Sequence, residues 1–251
     1  MIGIGAGDPE HVTVQAVNAL NETDVFFVAD KGDAKGGPLA LRREICARYI
    51  RGEDYRFVTI PEPDRDRRAA AYRDAVGDWH ERRAILFEQA IAEHLPEDGR
   101  GAFLVWGDPA LYDSTLRTIE RILARGTISF GYRVIPGITS VQALAARHRI
   151  PLGGIGEPVH ITTGRRLADG LPAGVPGAVV MLDPGLAAAE LESGVDDADL
   201  HVYWGAYLGT PDEEIRSGPL REVAEEILEL KHALRERHGW IMDTYLVRRE
   251  D

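Results

Sequence analysis

GAFLVWGDPALY, residues 101–112, is the stretch whose reading decides the fold. Ala102–Trp106 is a short apolar run without alternation, the signature of a strand covered on both faces. It ends on Gly107-Asp108-Pro109, and a helical pattern follows over Leu111–Leu123. A buried strand that hands over to a helix through a glycine turn is the repeating unit of a parallel α/β sheet. Gly-Asp-Pro is sufficient punctuation for such a turn, with the aspartate capping the helix and the proline in its first turn.

The same grammar stands at the start of the chain. Gly3-Ile4-Gly5-Ala6-Gly7-Asp8-Pro9 follows a short apolar run, and a helix is expected over Thr13–Leu20. Only four residues precede Gly5, so either the first strand is short or the natural chain begins upstream. A dinucleotide-binding GxGxxG does not fit, because its last position falls on Asp8 or Glu10. The loop suits a ligand without phosphates. A third turn, Ile135-Pro136-Gly137-Ile138-Thr139-Ser140, connects an expected strand at Tyr132–Ile135 to a helix at Ser140–Arg147. Thr139 and Ser140 can cap that helix or present hydroxyls to a ligand. The two Gly-Asp-Pro turns, at the ends of neighbouring strands, would form a crevice at the carboxyl edge of the sheet, where open α/β sheets bind ligands.

Between these turns the pattern predicts strands at Val25–Val28 and Arg56–Ile60, and helices at Leu39–Tyr49 and Ala69–His94. The Gly- and Pro-rich segment Ile150–Pro158 reads as a boundary between an N-terminal α/β domain, residues 1–150, and a C-terminal α/β domain, residues 151–251. Strands are expected beyond it at His160–Thr163, Ala178–Leu182, Leu200–Trp204 and Trp240–Val247. Leu220, Val223, Ile227, Leu230 and Leu234 mark an amphipathic helix stopped by Gly239.

Composition narrows the function classes. Net charge is −12, which opposes nucleic acid as a partner. No apolar run approaches the ~20 residues of a membrane helix, and no signal peptide opens the chain, so a cytoplasmic protein is expected. The single cysteine, Cys46, excludes an internal disulfide, and the eight histidines lack zinc-like spacing, so no metal is expected.

The motifs occur in a recognisable order: GIGAGDPEHVT (3–13), GDPALY (107–112), PGITSVQALAARHRIPL (136–152) and ITTGRR (161–166). In this order they resemble the tetrapyrrole (corrin/porphyrin) methyltransferase family over essentially the whole chain. The resemblance implies two α/β domains of the tetrapyrrole methylase type, with S-adenosylmethionine in the cleft between them, a precorrin substrate and a homodimer. DVFFVADKG, LRREIC, residues 61–84, WGAYLGTPDE and HGWIMDTYLVR are similar to the deacetylating branch, which releases acetate from C-1 of precorrin-5 and methylates that carbon. It also implies a cofactor site at Pro9, Trp106, Gly107, Asp108, Leu111, Thr139, Ser140, Leu182 and Gly218. Many relatives carry Gly-Gly-Asp where this chain has Trp106-Gly107-Asp108, a departure expected to narrow or reshape the pocket.

Methyl transfer from an activated donor needs alignment in a dry site more than it needs a nucleophile, and proximity can contribute ~7–11 kcal/mol. Deacetylation adds a water attack that a general base would assist. Asp8, Asp108 and Tyr112 are the catalytic candidates, the two aspartates chiefly for site architecture, with His11 and His80 as further bases. The precorrin carboxylates call for local positive charge, for which Lys31, Lys35, Arg42, Arg65, Arg67, Arg68 and Arg165 are the candidates. The alternatives are methylation of another precorrin carbon, a non-catalytic precorrin carrier and a nicotinamide-dependent oxidoreductase.

Overall fold

The computed structural model describes residues 1–30, 36–63, 72–172, 174–191 and 200–249. By contact the chain divides into two α/β units, one of Met1–Gly5 and Pro9–Ile138, the other of Ala6–Asp8 and Thr139–Asp251. The division falls before helix Ser140–His148, earlier than the Gly- and Pro-rich segment Ile150–Pro158.

The first unit contains β1 (Ile2–Gly3), α1 (Val14–Leu20), β2 (Val25–Asp30), α2 (Gly36–Tyr49), β3 (Arg56–Pro61), α3 (Tyr72–His94), β4 (Gly101–Val105) and α4 (Thr115–Arg125). Its four strands run parallel in the order β1-β4-β2-β3. Alternation along β2 sends Phe26 to one face and Phe27 to the other. Phe26 joins Ile4, Leu20, Ile45 and Leu104 under α1 and α2. Phe27 joins Ile60, Phe87, Ile91 and Ile122 under α3 and α4. Every strand ends toward the same edge, so the loops after β1 and β4 share it.

Two expectations fail in this unit. Helix α4 begins at Thr115, not Leu111, because Tyr112 takes a left-handed backbone (φ +53°) and Asp113 Oδ1 accepts the Thr115 N–H at 2.7 Å. Tyr132–Ile135 forms no strand. Its ladder is reduced to one bridge, Ile2 to Ile135, since β1 beside it is two residues long and Pro136 has no N–H to donate. The expected start of α3 at Ala69 lies outside the described residues.

The second unit contains α5 (Ser140–His148), β5 (His160–Thr163), α6 (Gly164–Leu167), β6 (Gly177–Met181), α7 (Ala188–Leu191), β7 (Leu200–Ala206), β8 (Glu214–Pro219), α8 (Leu220–His238) and β9 (Asp243–Arg249). The sheet order is β5-β6-β9-β7-β8, with β5 and β6 parallel and every other pair antiparallel. Leu220, Ile227 and Leu234 of α8 pack into a core with Val180, Val202, Trp204, Tyr245 and Val247. The α8 stripe is therefore internal, and Gly239 in the left-handed region (φ +73°) closes the helix. Strand β8 and the one-turn helices α6 and α7 were not legible in the sequence.

Candidate functional site

Three glycines meet at the carboxyl edge of the first sheet. A Cβ on Gly137 would fall 2.1 Å from the Gly107 carbonyl oxygen, and one on Gly3 would fall 2.6 Å from the Gly137 nitrogen. Only glycine permits these backbones to approach so closely. Gly107 N–H donates to the Gly5 carbonyl at 2.7 Å, which ties the loop after β4 to the loop after β1. Asp108 sits at the centre. One carboxylate oxygen accepts the Ala110 N–H at 2.7 Å, and the other accepts the Gly137 N–H at 2.8 Å. Asp108 therefore braces two loops and does not cap α4, the role its sequence context suggested.

Gly107, Asp108, Leu111 and Tyr112 thus lie together on one loop with Trp106 at its root. Trp106 is half-buried, packed against the core under α1 and α2, and its indole N–H is buried without a partner among the described residues. Tyr112 combines φ +53° with 47% exposure. A large residue in that conformation and open to solvent is where strain and ligand contact tend to coincide. Arg42 lies near the same loop, its Nε donating to the Leu104 carbonyl at 3.0 Å. Burial holds its guanidinium below the usual arginine range, and Asp113 opposes that effect. Of the other proposed cations, Arg165 is exposed on α6, while Lys31, Lys35, Arg65, Arg67 and Arg68 lie outside the described residues.

The first Gly-Asp-Pro loop is built differently. A Cβ on Gly7 would fall 2.3 Å from the Leu208 carbonyl oxygen, and one on Gly209 would fall 2.6 Å from the Asp8 nitrogen. Two backbones are thus pressed together in the second unit. The receiving turn follows β7, where Tyr207 adopts φ +49° and its hydroxyl donates to the Trp240 carbonyl at 2.5 Å. Burial, with Asp212 and Asp243 adding to it, pushes that phenol up to about 12. Glu213 braces the turn, accepting the Gly209 N–H at 2.7 Å and pairing with Arg147 at 2.6 Å. Pro9 belongs to the first unit, where its carbonyl accepts the Tyr49 hydroxyl at 3.0 Å. None of Tyr207, Gly209 and Glu213 was singled out beforehand; the signal available was WGAYLGTPDE as a segment.

Thr139 is buried and caps α5, its hydroxyl accepting the Val141 N–H at 3.2 Å, while Gln142 reaches back to the Thr139 N–H at 3.0 Å. Its hydroxyl hydrogen donates to Gln142 Oε1. Ser140, the first residue of the helix, is half-buried. Leu182 stands at the end of β6 with φ +53° and 65% exposure. The strand register separates it from Gly218. Met181 shares a row with Thr244, Gly205 and Ile215, whereas Gly218 shares one with Val202, Val247 and Ala178. Three strand spacings and four residues of rise put these positions on the order of 20 Å apart. Gly218 is buried in β8, with room for a Cβ only 2.9 Å from Val223.

Cys46 is buried, which pushes its thiol up to about 12 and removes it as a nucleophile. Among the described residues no group of three His, Cys, Asp or Glu side chains could hold a metal, and no helix is long and apolar enough to cross a membrane.

Residues 1–224 match the model of the tetrapyrrole (corrin/porphyrin) methylases. The chain is 51% identical over 249 residues to the precorrin-6A synthase [deacetylating] of Sinorhizobium sp, covering 99% of this chain and 94% of that protein. A solved structure of a putative cobalamin synthesis related protein (CobF) from Corynebacterium diphtheriae superposes with a TM-score of 0.84 at 40% identity, covering 100% of this chain and 97% of that one. A uroporphyrin-III C-methyl transferase from Thermus thermophilus, complexed with S-adenyl homocysteine, shares the fold with a TM-score of 0.59 at 21% identity, covering 98% of this chain and 95% of that one. By sequence and by fold, the chain belongs to the tetrapyrrole (corrin/porphyrin) methylase family.

Proposed function

We propose that this protein is a precorrin-6A synthase of cobalamin biosynthesis, releasing the C-1 acetyl group of precorrin-5 as acetate and methylating the same carbon from S-adenosylmethionine. The observation that carries the reading is the 51% identity, over nearly the whole of both chains, to a deacetylating precorrin-6A synthase. It acts in the cytoplasm as a homodimer, and sedimentation showing only the 27.6 kDa monomer at micromolar concentration would remove the dimer.

The residues present fit the donor. S-adenosylmethionine has no phosphates, and the close-packed glycine junction Gly3–Gly107–Gly137 fixes the loop after β4 that carries Asp108, Leu111 and Tyr112. The buried Trp106 N–H, without a partner among the described residues, is a donor at the root of that loop. Trp106, Gly107, Leu111 and Pro9 with Thr139, Ser140 and Leu182 are the residues that would hold it; Gly218, deep in β8, acts through packing. When bound, the donor supplies an activated methyl group. The chain's own task is then orientation and exclusion of water. Asp108 holds two loops in fixed relation through its paired carboxylate bonds. Asp8 and Tyr112 are the candidate groups for handling the proton of the water that attacks the acetyl carbonyl. Arg42 and Arg165 are the described cations offered to the substrate carboxylates.

The test is a mass-spectrometric assay with precorrin-5 generated in situ and methyl-labelled S-adenosylmethionine. Labelled product with one equivalent of acetate is expected. Label without acetate would move the activity to another precorrin carbon. No label, with substrate demonstrably present, would leave a carrier.

A further inference from the structure

Arg83 carries a charge into the core between α3 and α4. It stands on α3 and is only 5% exposed. Its Nε donates to Glu62 Oε1 at 3.1 Å, just beyond the end of β3. Its Nη1 donates to the Ser114 hydroxyl and to the Thr118 hydroxyl, both at 2.9 Å. The guanidinium carbon lies over the Phe87 ring at 4.5 Å and over the Trp79 ring at 5.5 Å. Trp79 donates its indole N–H to the Pro63 carbonyl at 2.9 Å, so α3 is fastened to the chain leaving β3 at two points.

Ser114 shows what this arrangement does. It occupies the N-cap of α4, where a serine ordinarily accepts an N–H of the first turn. Here its hydroxyl makes no cap bond, and Asp113 Oδ1 takes the Thr115 N–H instead. The Ser114 hydroxyl is committed to Arg83, and its carbonyl accepts the Thr118 N–H and hydroxyl, each at 3.0 Å. The loop after β4 is thus pinned two residues beyond Tyr112, the exposed residue with φ +53°. Asp108 pins the same loop on the other side of Tyr112. As a source of stability the ion pair is poor. Both side chains are largely buried, and Glu62 Oε2 has no hydrogen-bond partner among the described residues. Apolar side chains of similar volume often stabilise a core as well or better. What they cannot do is hold a hydroxyl at a fixed point of a loop.

We propose that Arg83, fixed by Glu62, is a positioning residue for acetate release. It holds Ser114 so that Tyr112 keeps its left-handed backbone and its phenol stays open at the carboxyl edge of the first sheet. This rests on the precorrin-6A synthase reading given above. Arg83 and Ser114 touch no reacting atom and act through the loop.

The experiment measures kcat and KM for acetate release from precorrin-5 generated in situ, with thermal unfolding run in parallel. The proteins are wild type, Ser114→Ala, Arg83→Lys, Tyr112→Phe and the double variant of Ser114→Ala with Tyr112→Phe. Ser114→Ala removes one hydroxyl from the brace and is expected to lower kcat about tenfold, with KM within about twofold. Arg83→Lys has no planar fork to span Glu62 and Ser114 and is expected to lose as much. Tyr112→Phe is expected to lose about 100-fold. The double variant is expected to match Tyr112→Phe within about twofold, because the loop then has no phenol left to place. A brace that served stability alone would lower the unfolding midpoint of Ser114→Ala and leave its kcat at wild-type level. That result overturns the proposal, as do multiplicative losses in the double variant or full turnover in Tyr112→Phe. Should Arg83→Lys not fold, Ser114→Ala and the double variant decide. Wild type releasing no acetate, with precorrin-5 demonstrably present, would instead sink the synthase reading, and the proposal with it.

Discussion

The protein uses the tripeptide Gly-Asp-Pro twice, after β1 and after β4, and the two copies are built on opposite principles. In the second copy the aspartate side chain is the structural element, one Asp108 oxygen accepting the Ala110 N–H of its own turn and the other the Gly137 N–H of the next. In the first copy the backbone is the element. Gly7 and Asp8 are pressed against Leu208 and Gly209 at distances that exclude any side chain on either glycine. Asp108 does not cap α4, which is preceded by Asp113, and α1 is capped by Thr13, whose hydroxyl accepts the Ala16 N–H at 3.1 Å. A shared motif fixes the sharpness of a turn. The surroundings decide which of its atoms hold structure and which are left for a ligand.

The strongest test of this contrast is steric. Gly137→Ala and Gly7→Ala each force a Cβ into a carbonyl oxygen, at 2.1 Å and 2.3 Å, and Gly7 also lies at φ +156°. Each is expected to destabilise by about 3 kcal/mol or more, read by urea unfolding. The sign should be the same at both loops, since backbone proximity is what they share. A loss under about 1 kcal/mol at either position would show that the loop has slack and break the comparison there.

The two aspartates should then separate. Asp108→Ala leaves the Gly137 and Ala110 N–H groups without their acceptor, an expected loss of about 1–3 kcal/mol in unfolding free energy. Asp8→Ala is expected to lose proportionally more turnover in the acetate-release assay, for the stability it costs, than Asp108→Ala. The reverse ranking would make the first loop the carboxylate brace and the second the backbone seat.

That difference also marks how far the sequence could be read. Strands with continuous apolar runs, such as Ala178–Val180 and Ala102–Val105, were legible because burial on both faces leaves no polar alternation. Strand β8 was not, since EIRSGP lies at a sheet edge and needs almost no apolar residue. The amphipathic stripe of α8 announced itself, but the burial of Lys231 on that helix did not. One partner, Asp243, follows on the next element, β9, but the other, Asp183, is remote in sequence, and the pairing of β6 with β9 brings the two aspartates near each other. At the site the turns were visible through glycine and proline. The exposed left-handed backbones of Tyr112 and Leu182 were not, because local propensity argues against them and tertiary contacts impose them. Gly218 shows the converse: a matched residue that the register places far from Leu182.

The finest separation between the loops lies in pH. The turn that receives the first loop follows β7, and His148 Nε2 lies 3.0 Å from the Trp204 carbonyl of that strand. A carbonyl only accepts, so Nε2 carries the hydrogen and donates. Burial is the main influence on this imidazole and holds it below its usual 6.5, with the Trp204 bond and Glu213 opposing and His201 adding to the depression. The folded state therefore favours the neutral ring, and below pH 6.5 the unfolded chain takes up the proton more readily. Stability from this group is complete above pH 6.5 and declines as pH falls through the depressed value. The urea midpoint of wild type should accordingly fall on acidification from neutrality, and His148→Gln should flatten that part of the profile. The same profile measured on Asp108→Ala should keep the wild-type slope, because the second loop's brace is independent of this ring. A midpoint that rises on acidification would mean the folded protein holds a charged imidazole, with the β7 turn gaining stability where the neutral ring predicts loss.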